Sequence, residues 1–311
     1  MEKLRVIFMG TPDFAVPCLE KLSEAADVMA VITQPDRPRG RGQKLVPSPV
    51  KVFAAAHGMQ VLQPEKVKTP EFEAMLQAMA PDLIVVVAFG QILSQKILDI
   101  PHYGCINVHA SLLPRYRGAA PIHWSIINGE TKTGVTTMFM DAGLDTGDML
   151  LKSETAITPE MTTEELHDAL MHSGAELLVQ TIGKLQAGTL VRVKQEDALS
   201  NYAPLLKKET GHIDWTASPE EVHNRVRGLN SWPGAYAILN GETFKIWRTR
   251  VAASGEKGKP GEILALTKHG FLVAAGGGAV EVLELQAPSK KKMTAGDYVR
   301  GHGLPLHACF E

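Results

Sequence analysis

An asparagine and a histidine, Asn107 and His109, stand two residues apart at the end of the apolar segment GCINVHAS. The segment has the composition of a buried strand, and the alternation of side chains along a strand places both residues on one face. An amide and an imidazole held side by side can stabilise a developing oxyanion, and the imidazole can also move a proton. An isolated Asn-x-His pair is more often a hydrogen-bonded core pair, so its neighbours must decide.

A third candidate, Asp145, lies in the segment MDAGLDTGDML, directly after the predicted strand TGVTTMFM. By itself such a glycine- and aspartate-rich segment is a turn, and it lacks the ligand spacing of an EF-hand. Its place at the same sheet edge makes Asp145 a candidate partner for His109, because a carboxylate usually orients a buried imidazole. The rigid apolar turn from Ser111 to Pro114, beside the polar pair, could form a wall for a flat ligand.

The elements that must hold these residues alternate between strand and helix. LRVIFMG ends in a glycine, and the helical pattern TPDFAVPCLEKLSEA and the strand VMAVIT follow it. PDLIVVVAFG is an apolar run typical of a central strand covered on both faces. Thr162 and Glu165 form a capping box that predicts a helix from about 163 to 185. We predict an α/β fold with a doubly wound, mostly parallel, Rossmann-like sheet, in which ligands bind at the carboxyl ends of the strands.

Beyond about residue 190 the pattern changes to short β-type segments separated by NGE, KPG, KHG and GGG. This spacing predicts a small barrel of five or six strands, with Trp215, Trp232 and Trp247 as core residues. We therefore predict a Rossmann-like domain over 1–189, a linker over 190–206 and a barrel domain over 207–311.

A basic segment, QPDRPRGRGQKLVPSP, follows the second predicted strand and carries Arg37, Arg39, Arg41 and Lys44 against a single Asp36. Its glycines and prolines argue against a helix. Such a run is most often a solvated loop, but its position at the ligand edge of the sheet also allows phosphate binding.

The composition is that of an ordinary globular chain. Of its 311 residues, 44% are hydrophobic and 21% are charged, and the net charge of −2 gives no global nucleic-acid signature. The three cysteines have no CxxC spacing, which argues against a disulfide framework or a zinc site. The apolar segment near the N-terminus is too short for a signal peptide, and no run is long enough to span a membrane. We expect a cytoplasmic protein.

Two motifs, NVHASLLPRYRGAAPI and GLDTGDM, resemble the signature of the 10-formyltetrahydrofolate-dependent formyltransferases. Three further segments, GTPDFAVPCL, TQPDRPRGRGQKLVPSPVK and IDWTASPEEVHNRVRGLNSWPGAY, are similar to the methionyl-tRNA formyltransferase family within that superfamily. The resemblance covers nearly the whole chain, in the expected order. It implies a Rossmann-like catalytic domain followed by an OB-like tRNA-binding domain. The implied activity is formyl transfer from 10-formyltetrahydrofolate to methionyl-initiator tRNA.

The resemblance also implies a site. It gives Asn107, His109 and Asp145 as the catalytic group and requires no metal. It places folate along Ser111, Leu112, Leu113 and Pro114 and near Phe89, Gly90 and Ile92, and tRNA at Arg37, Arg39, Arg41 and Lys44. The roles of Arg115 and Arg117 stay open between the folate tail, the tRNA end and solvent.

The chemistry of formyl transfer agrees with these residue types. An α-amino group has a pKa of about 7.7–8.0, so a useful fraction is neutral at cellular pH and a strong base is not the main requirement. The oxyanion formed at the formyl carbon is the harder part, and Asn107 and His109 can both donate to it. Asp145 would orient and charge His109 and relay the amine's proton to the departing nitrogen.

Three alternatives are weighed against this interpretation. A dehydrogenase is disfavoured because GTPDFA offers one glycine where the dinucleotide motif needs three. A formyltransferase for a small amine, such as a nucleotide sugar or glycinamide ribonucleotide, would keep the catalytic group but have no use for the basic segment. A noncatalytic RNA-binding protein would leave the polar group idle. Nothing in the sequence requires more than a monomer.

Overall fold

The computed structural model describes residues 3–39, 43–253 and 258–311. Contacts divide the chain into two compact units, which are interleaved in sequence. The first unit comprises 1–118, 133–155 and 167–202, and the second comprises 119–132, 156–166 and 203–311. The domain boundaries after 189 and 206 stay predictions, since contacts rather than chain order define these units.

The elements alternate as the sequence predicts in the first two thirds of the chain. The strands of this part are β1 Arg5–Gly10, β2 Asp27–Ile32, β3 Arg37–Arg39, β4 Lys44–Val46, β5 Val61–Leu62, β6 Leu83–Val87, β7 Cys105–His109, β8 Arg117–Gly118, β9 Lys132–Phe139, β10 Met149–Ala156 and β11 Tyr202–Ala203. The helices are α1 Val16–Ala25, α2 Pro49–Ala56, α3 Pro70–Met79, α4 Gln95–Leu98, α5 Pro121–Ile127 and α6 Thr163–Gln186.

The remaining elements are mostly strands. They are α7 Pro219–Gly228, β12 Ala235–Leu239, β13 Glu242–Val251, β14 Ile263–Leu266, β15 Phe271–Ala275, β16 Gly278–Gln286, β17 Met293–Thr294 and α8 Ala295–His302.

The first unit is built on a seven-stranded sheet in the order β10-β9-β7-β6-β1-β2-β5. Strands β5, β2, β1, β6 and β7 run parallel, and β9 pairs antiparallel with β7. All five residues of β6, LIVVV, are buried, as a strand covered on both faces requires. The chain runs outward from β1 through β2 to β5 and then returns to β6, so the order reverses between β1 and β6. The predicted doubly wound, mostly parallel sheet is confirmed.

Helix starts follow the capping rules. Ser48 accepts a hydrogen bond from the amide of Lys51 at the start of α2, and Thr69 accepts one from Phe72 at the start of α3. The predicted capping box is present, because Glu165 accepts from the Thr162 amide at 2.8 Å. The helix after it, α6, covers the range that the sequence predicts.

The second unit contains a six-stranded antiparallel sheet, ordered β12-β13-β16-β15-β14 with β17 on β16. Its core includes Phe244, Phe271 and Phe310, and Trp215 is almost fully buried among them. The prediction of five or six strands is confirmed. The prediction that Trp232 is a core residue is wrong, because its side chain is 54% exposed. Trp232 lies in the turn SWPG between α7 and β12. In a turn, an apolar side chain is not necessarily buried in the core.

A membrane span requires a helix of sufficient length and hydropathy. No helix within the described ranges is both long enough and apolar enough to span a bilayer.

Gly134 in β9 tests how tightly the two strands β9 and β10 pack. A Cβ at this position would overlap the carbonyl oxygen of Ser153, so we expect Gly134→Ala to destabilise the first unit by about 2 kcal/mol or more. Gly183 in α6 has open space around its Cα, and Gly183→Ala should stabilise by about 0.5–1 kcal/mol. Urea unfolding followed by circular dichroism measures both, and equal midpoints for the two variants would contradict this account of β9.

Candidate active site

The carboxyl ends of β1, β6 and β7 meet at one edge of the sheet, where the strand order reverses. The residues that follow β1 and β6 are tied together, because the Thr11 hydroxyl donates to the Phe89 carbonyl at 2.9 Å. The Gln34 side chain, after β2, donates to the same carbonyl at 3.2 Å. Hydrogen bonds therefore fix the loops at this edge relative to each other.

Asn107 and His109 are the third and the last residue of β7, and their side chains lie on the same face of the strand, as predicted. Asn107 lies between Val86 of β6 and Met138 of β9, and its side chain is half-buried. Within the three described ranges, no protein group hydrogen-bonds the Asn107 side chain. Its amide can therefore donate to a bound molecule.

The structure brings His109 and Asp145 together. His109 is 6% exposed, and its Nδ1 lies 3.7 Å from Asp145 Oδ2. Its Nε2 lies 2.9 Å from the carbonyl oxygen of Tyr116, which can only accept, so Nε2 carries a hydrogen and donates. Nδ1 then faces a carboxylate, and a proton there makes the ring an imidazolium. At 3.7 Å that N–H is not saturated by a direct hydrogen bond and can donate to a further acceptor.

The loop that carries Asp145 is held at several points. Asp145 adopts a left-handed backbone conformation with φ 53°, and its Oδ2 accepts from the Gly118 amide at 2.8 Å. The Gln195 side chain donates to the carbonyls of Asp145 and Gly147, both at 2.8 Å. Asp141 accepts hydrogen bonds from the Gly143 amide and the Thr146 hydroxyl. Asp141 thus stabilises the turn, and the Gly118 amide orients the Asp145 carboxylate toward His109.

Hydrogen bonds from residues of β9 and β10 hold the segment from Ser111 to Pro114 in place. The buried hydroxyl of Thr136 donates to the Ser111 carbonyl at 2.7 Å and accepts from the Leu113 amide at 3.1 Å. Lys152 Nζ donates to the Leu113 carbonyl at 2.6 Å, and burial lowers the pKa of this amine. Ser111 and Leu113 are fully buried, so of the predicted folate segment only Leu112 and Pro114 present surface.

The predicted folate residues after β6 differ in what they offer. The Phe89 ring is buried in the core of the first unit and its carbonyl already accepts two hydrogen bonds. Gly90 has φ 85°, a conformation that favours glycine. Ile92 is 73% exposed and presents an apolar side chain to solvent. Ile92 is therefore the residue of this group whose side chain is open to a ligand.

The basic segment forms a β-hairpin instead of a simple loop. Strands β3 and β4 pair antiparallel, with Arg37 opposite Val46 and Arg39 opposite Lys44. Arg37 and Lys44 are exposed, and Arg37 lies 3.7 Å from Glu65. Arg41 and the side chain of Arg39 lie outside the described residues.

Asp36, the single acid of the basic segment, is neutralised locally. It accepts from Lys51 Nζ at 2.7 Å and from Gln63 Nε2 at 2.8 Å, and these hydrogen bonds lower the pKa of its carboxyl. The hairpin therefore presents its arginine and lysine charges without a competing carboxylate from Asp36.

Several residues at the site gave no signal in the sequence. Tyr116 and Gly118 act through backbone atoms, and Thr136 and Gln195 come from distant parts of the chain. Arg117, whose role was open, is 11% exposed at its side chain and donates from Nε to Gln195 Oε1 at 3.0 Å. It also pairs with Asp197 at 2.9 Å, so Arg117 holds the local structure instead of facing solvent.

The second unit carries a basic groove on its sheet. Arg248 and Arg250 of β13 line it with Lys268 and His269, and Arg300 of α8 completes it. Two of these arginines are paired, Arg250 with Glu281 and Arg300 with Asp297. The remaining positive charges suit a polyanion.

Comparison with known proteins gives matches along both halves of the chain. Residues 3–182 match the family described as formyl transferase, and residues 205–303 match the formyl transferase C-terminal domain. A methionyl-tRNA formyltransferase of Geobacter metallireducens is 58% identical over 302 residues, which cover 97% of this chain and 96% of that protein. That of Geobacter sulfurreducens is 57% identical over 305 residues, 98% of this chain and 96% of that protein.

A solved structure is similar in fold. It is an N-formyltransferase from Helicobacter canadensis in complex with folinic acid and dTDP-3-aminofucose, with a TM-score of 0.67 and 22% identity. The match covers 90% of this chain and 99% of that one.

Proposed function

The chain belongs to the formyl transferase family, and we propose that it transfers the formyl group of 10-formyltetrahydrofolate to the α-amino group of methionyl-initiator tRNA. The product is N-formylmethionyl-tRNA for the initiation of translation. The observation that carries this proposal is the 58% identity over 97% of the chain to a methionyl-tRNA formyltransferase. The free amide of Asn107 and the His109–Asp145 pair supply groups that the reaction needs.

The reaction joins the amine nitrogen to the formyl carbon and places negative charge on the formyl oxygen. Asn107 donates its amide N–H to that oxygen, since no described protein group holds it. His109 donates through Nδ1, because Nε2 is held by the Tyr116 carbonyl. Preorganised donors of this kind are effective because they need no reorganisation as charge develops.

Asp145 has two roles in this scheme. Its carboxylate, 3.7 Å from His109 Nδ1, orients the ring whose Nδ1–H donates to the oxyanion. It can also accept the proton that the amine loses and pass it, through a water, toward the departing folate nitrogen. The hydrogen bond from the Gly118 amide keeps Asp145 Oδ2 oriented during both steps.

Folate is expected to lie against the apolar surface at this sheet edge. Leu112 and Pro114 form one side, and Ile92 is exposed near the end of β6. The buried residues Ser111 and Leu113 shape this wall from beneath, and the Phe89 backbone fixes the loop that carries Gly90 and Ile92.

The tRNA contacts follow the exposed charge. The hairpin offers Arg37 and Lys44, the sequence adds the arginines at 39 and 41, and the basic groove of the second unit offers Arg248 and its neighbours. Both surfaces suit phosphate backbone contacts, which carry little sequence information. Initiation takes place in the cytoplasm, and we propose that the protein acts there as a monomer.

A formyltransferase acting on a small amine, such as a nucleotide sugar, is the alternative. It would use the same Asn107, His109 and Asp145 but would leave the charged hairpin without a role. The sugar-processing relative at 22% identity shares the fold, and that likeness does not extend to the substrate.

The first test is the transfer reaction with 10-formyltetrahydrofolate. We expect formylation of methionine-charged initiator tRNA and little on charged elongator tRNA or free methionine, measured by acid-precipitable radioactive formyl groups. Folate binding without formylation of any charged tRNA would overturn the tRNA assignment and favour a small amine.

Asn107→Ala tests the oxyanion donor. Loss of one such donor should lower kcat by about 10²–10³ because the interaction forms only in the transition state. Binding of tRNA, measured by filter retention, should not change. Gln77→Ala, at an exposed position of α3, is the control. A fall in kcat of less than threefold would remove Asn107 from the catalytic group.

Lys44→Gln tests the hairpin. Loss of one phosphate contact should raise the tRNA KM about 3- to 10-fold and reduce the slope of log K against log salt by about 0.9. Lys184→Gln, an exposed lysine near the end of α6, should alter neither value. The same salt slope for Lys44→Gln and wild type would exclude a phosphate contact at Lys44.

A further inference from the structure

The segment between the two matched family regions is more than a connection. Residues 183–204 fall outside both matches, and most side chains from 191 to 199 are exposed. Gln195 is the exception, at 7% exposure, between the exposed Lys194 and Glu196. A polar side chain buried in an otherwise exposed run indicates a specific structural task, because burial without hydrogen bonds is unfavourable.

The carboxamide of Gln195 hydrogen-bonds the loop that carries Asp145. Both amide hydrogens are used, one toward the carbonyl of Asp145 and one toward that of Gly147, each at 2.8 Å. Its oxygen accepts from Arg117 Nε at 3.0 Å. One side chain therefore links the loop of the carboxylate to the segment around Arg117.

Asn201 holds the same segment from its other side. Its Oδ1 accepts from the Tyr116 amide at 2.6 Å, and its backbone carbonyl accepts from the Arg117 amide at 3.0 Å. Tyr116 has φ 60°, a left-handed conformation that is unfavourable for a residue with a Cβ. The bonds to Asn201 help to keep it there.

The short stretch from Tyr116 to Gly118 orients both catalytic side chains that can carry a proton. The Tyr116 carbonyl accepts from His109 Nε2, and the Gly118 amide donates to Asp145 Oδ2. Movement of this stretch would break the hydrogen bond from His109 Nε2 to the Tyr116 carbonyl. It would also change the orientation of the Asp145 carboxylate. Displacements of about 1 Å at such a site can cost about 10²-fold in rate.

We infer that Gln195 and Asn201 are positioning residues for the formyl-transfer reaction, acting through Arg117 and the 116–118 backbone on His109 and Asp145. The inference rests on the proposed function and deepens it. It predicts that the two residues affect the transition state more than substrate binding, because the hydrogen bonds described for their side chains go to the Asp145 loop, Arg117 and Tyr116.

Gln195→Ala is the first variant. We expect kcat to fall about 10- to 100-fold while both KM values stay within about twofold, measured at a temperature where circular dichroism shows the variant to be folded. Glu196→Ala, the exposed neighbour, is the matched control and should retain wild-type kcat. A folded Gln195→Ala protein with wild-type kcat, or one with raised KM and unchanged kcat, would overturn the inference.

Asn201 allows a rescue test, because its side chain is used as an acceptor. Asn201→Ala removes the acceptor and should lower kcat, whereas Asn201→Asp keeps an oxygen facing the Tyr116 amide and should restore most of it. Equal loss in both variants would mean that this hydrogen bond is not what positions Tyr116.

A measurement without substrate separates this inference from the proposed function. Nitrogen-15 NMR of the His109 ring, assigned with His109→Gln, should show a slowly exchanging hydrogen on Nε2 in wild type and in Asn201→Asp. It should be lost in Asn201→Ala. If wild type formylates no amine but this pattern holds, the function fails and the positioning stands. If formylation proceeds and the ring signals are the same in all three proteins, the positioning fails alone.

Discussion

The site depends on one constraint, the pair of backbone hydrogen bonds that Tyr116 and Gly118 make to His109 and Asp145. The first fixes which ring nitrogen carries a hydrogen, and the second fixes which way the carboxylate points. Together they leave His109 Nδ1 3.7 Å from Asp145, close enough for charge stabilisation and too far for a saturating hydrogen bond. The strands and loops of the first unit hold the ring of His109 and the carboxylate of Asp145 in these positions.

The sheet supplies the frame for that constraint. The strand order reverses between β1 and β6, and in open α/β sheets ligands bind outside the carboxyl ends of the strands at such a point. β7 presents Asn107 and His109 at this edge, and antiparallel β9 places Thr136 opposite His109. The Thr136 hydroxyl then shapes the apolar segment from Ser111 to Leu113. One strand pair therefore supports both the polar group and the apolar segment proposed to contact folate.

Chemistry and charge are separated in the proposed enzyme. The polar group lies on the rigid sheet edge, while Arg37 and Lys44 lie on an exposed hairpin and Arg248 and Lys268 line a surface groove. Backbone hydrogen bonds from Tyr116 and Gly118 hold His109 and Asp145 in place, and exposed cations suit a polyanion whose contacts are mostly nonspecific.

The sequence by itself determined the elements and indicated the candidate residues of the proposed site. The apolar strands, the Thr162 capping box and the alternation that pairs Asn107 with His109 are local patterns, and local sterics and burial decide them. Only the tertiary structure decided the roles of four residues, Tyr116, Gly118, Gln195 and Asn201. The first two act through backbone atoms, which have no sequence signature. The last two make hydrogen bonds across 50 and 85 residues of sequence, and contacts at such separations produce no periodic pattern. It also turned Arg117 inward and Trp232 outward. Side-chain burial depends on what the rest of the chain places nearby, and no short segment contains that information.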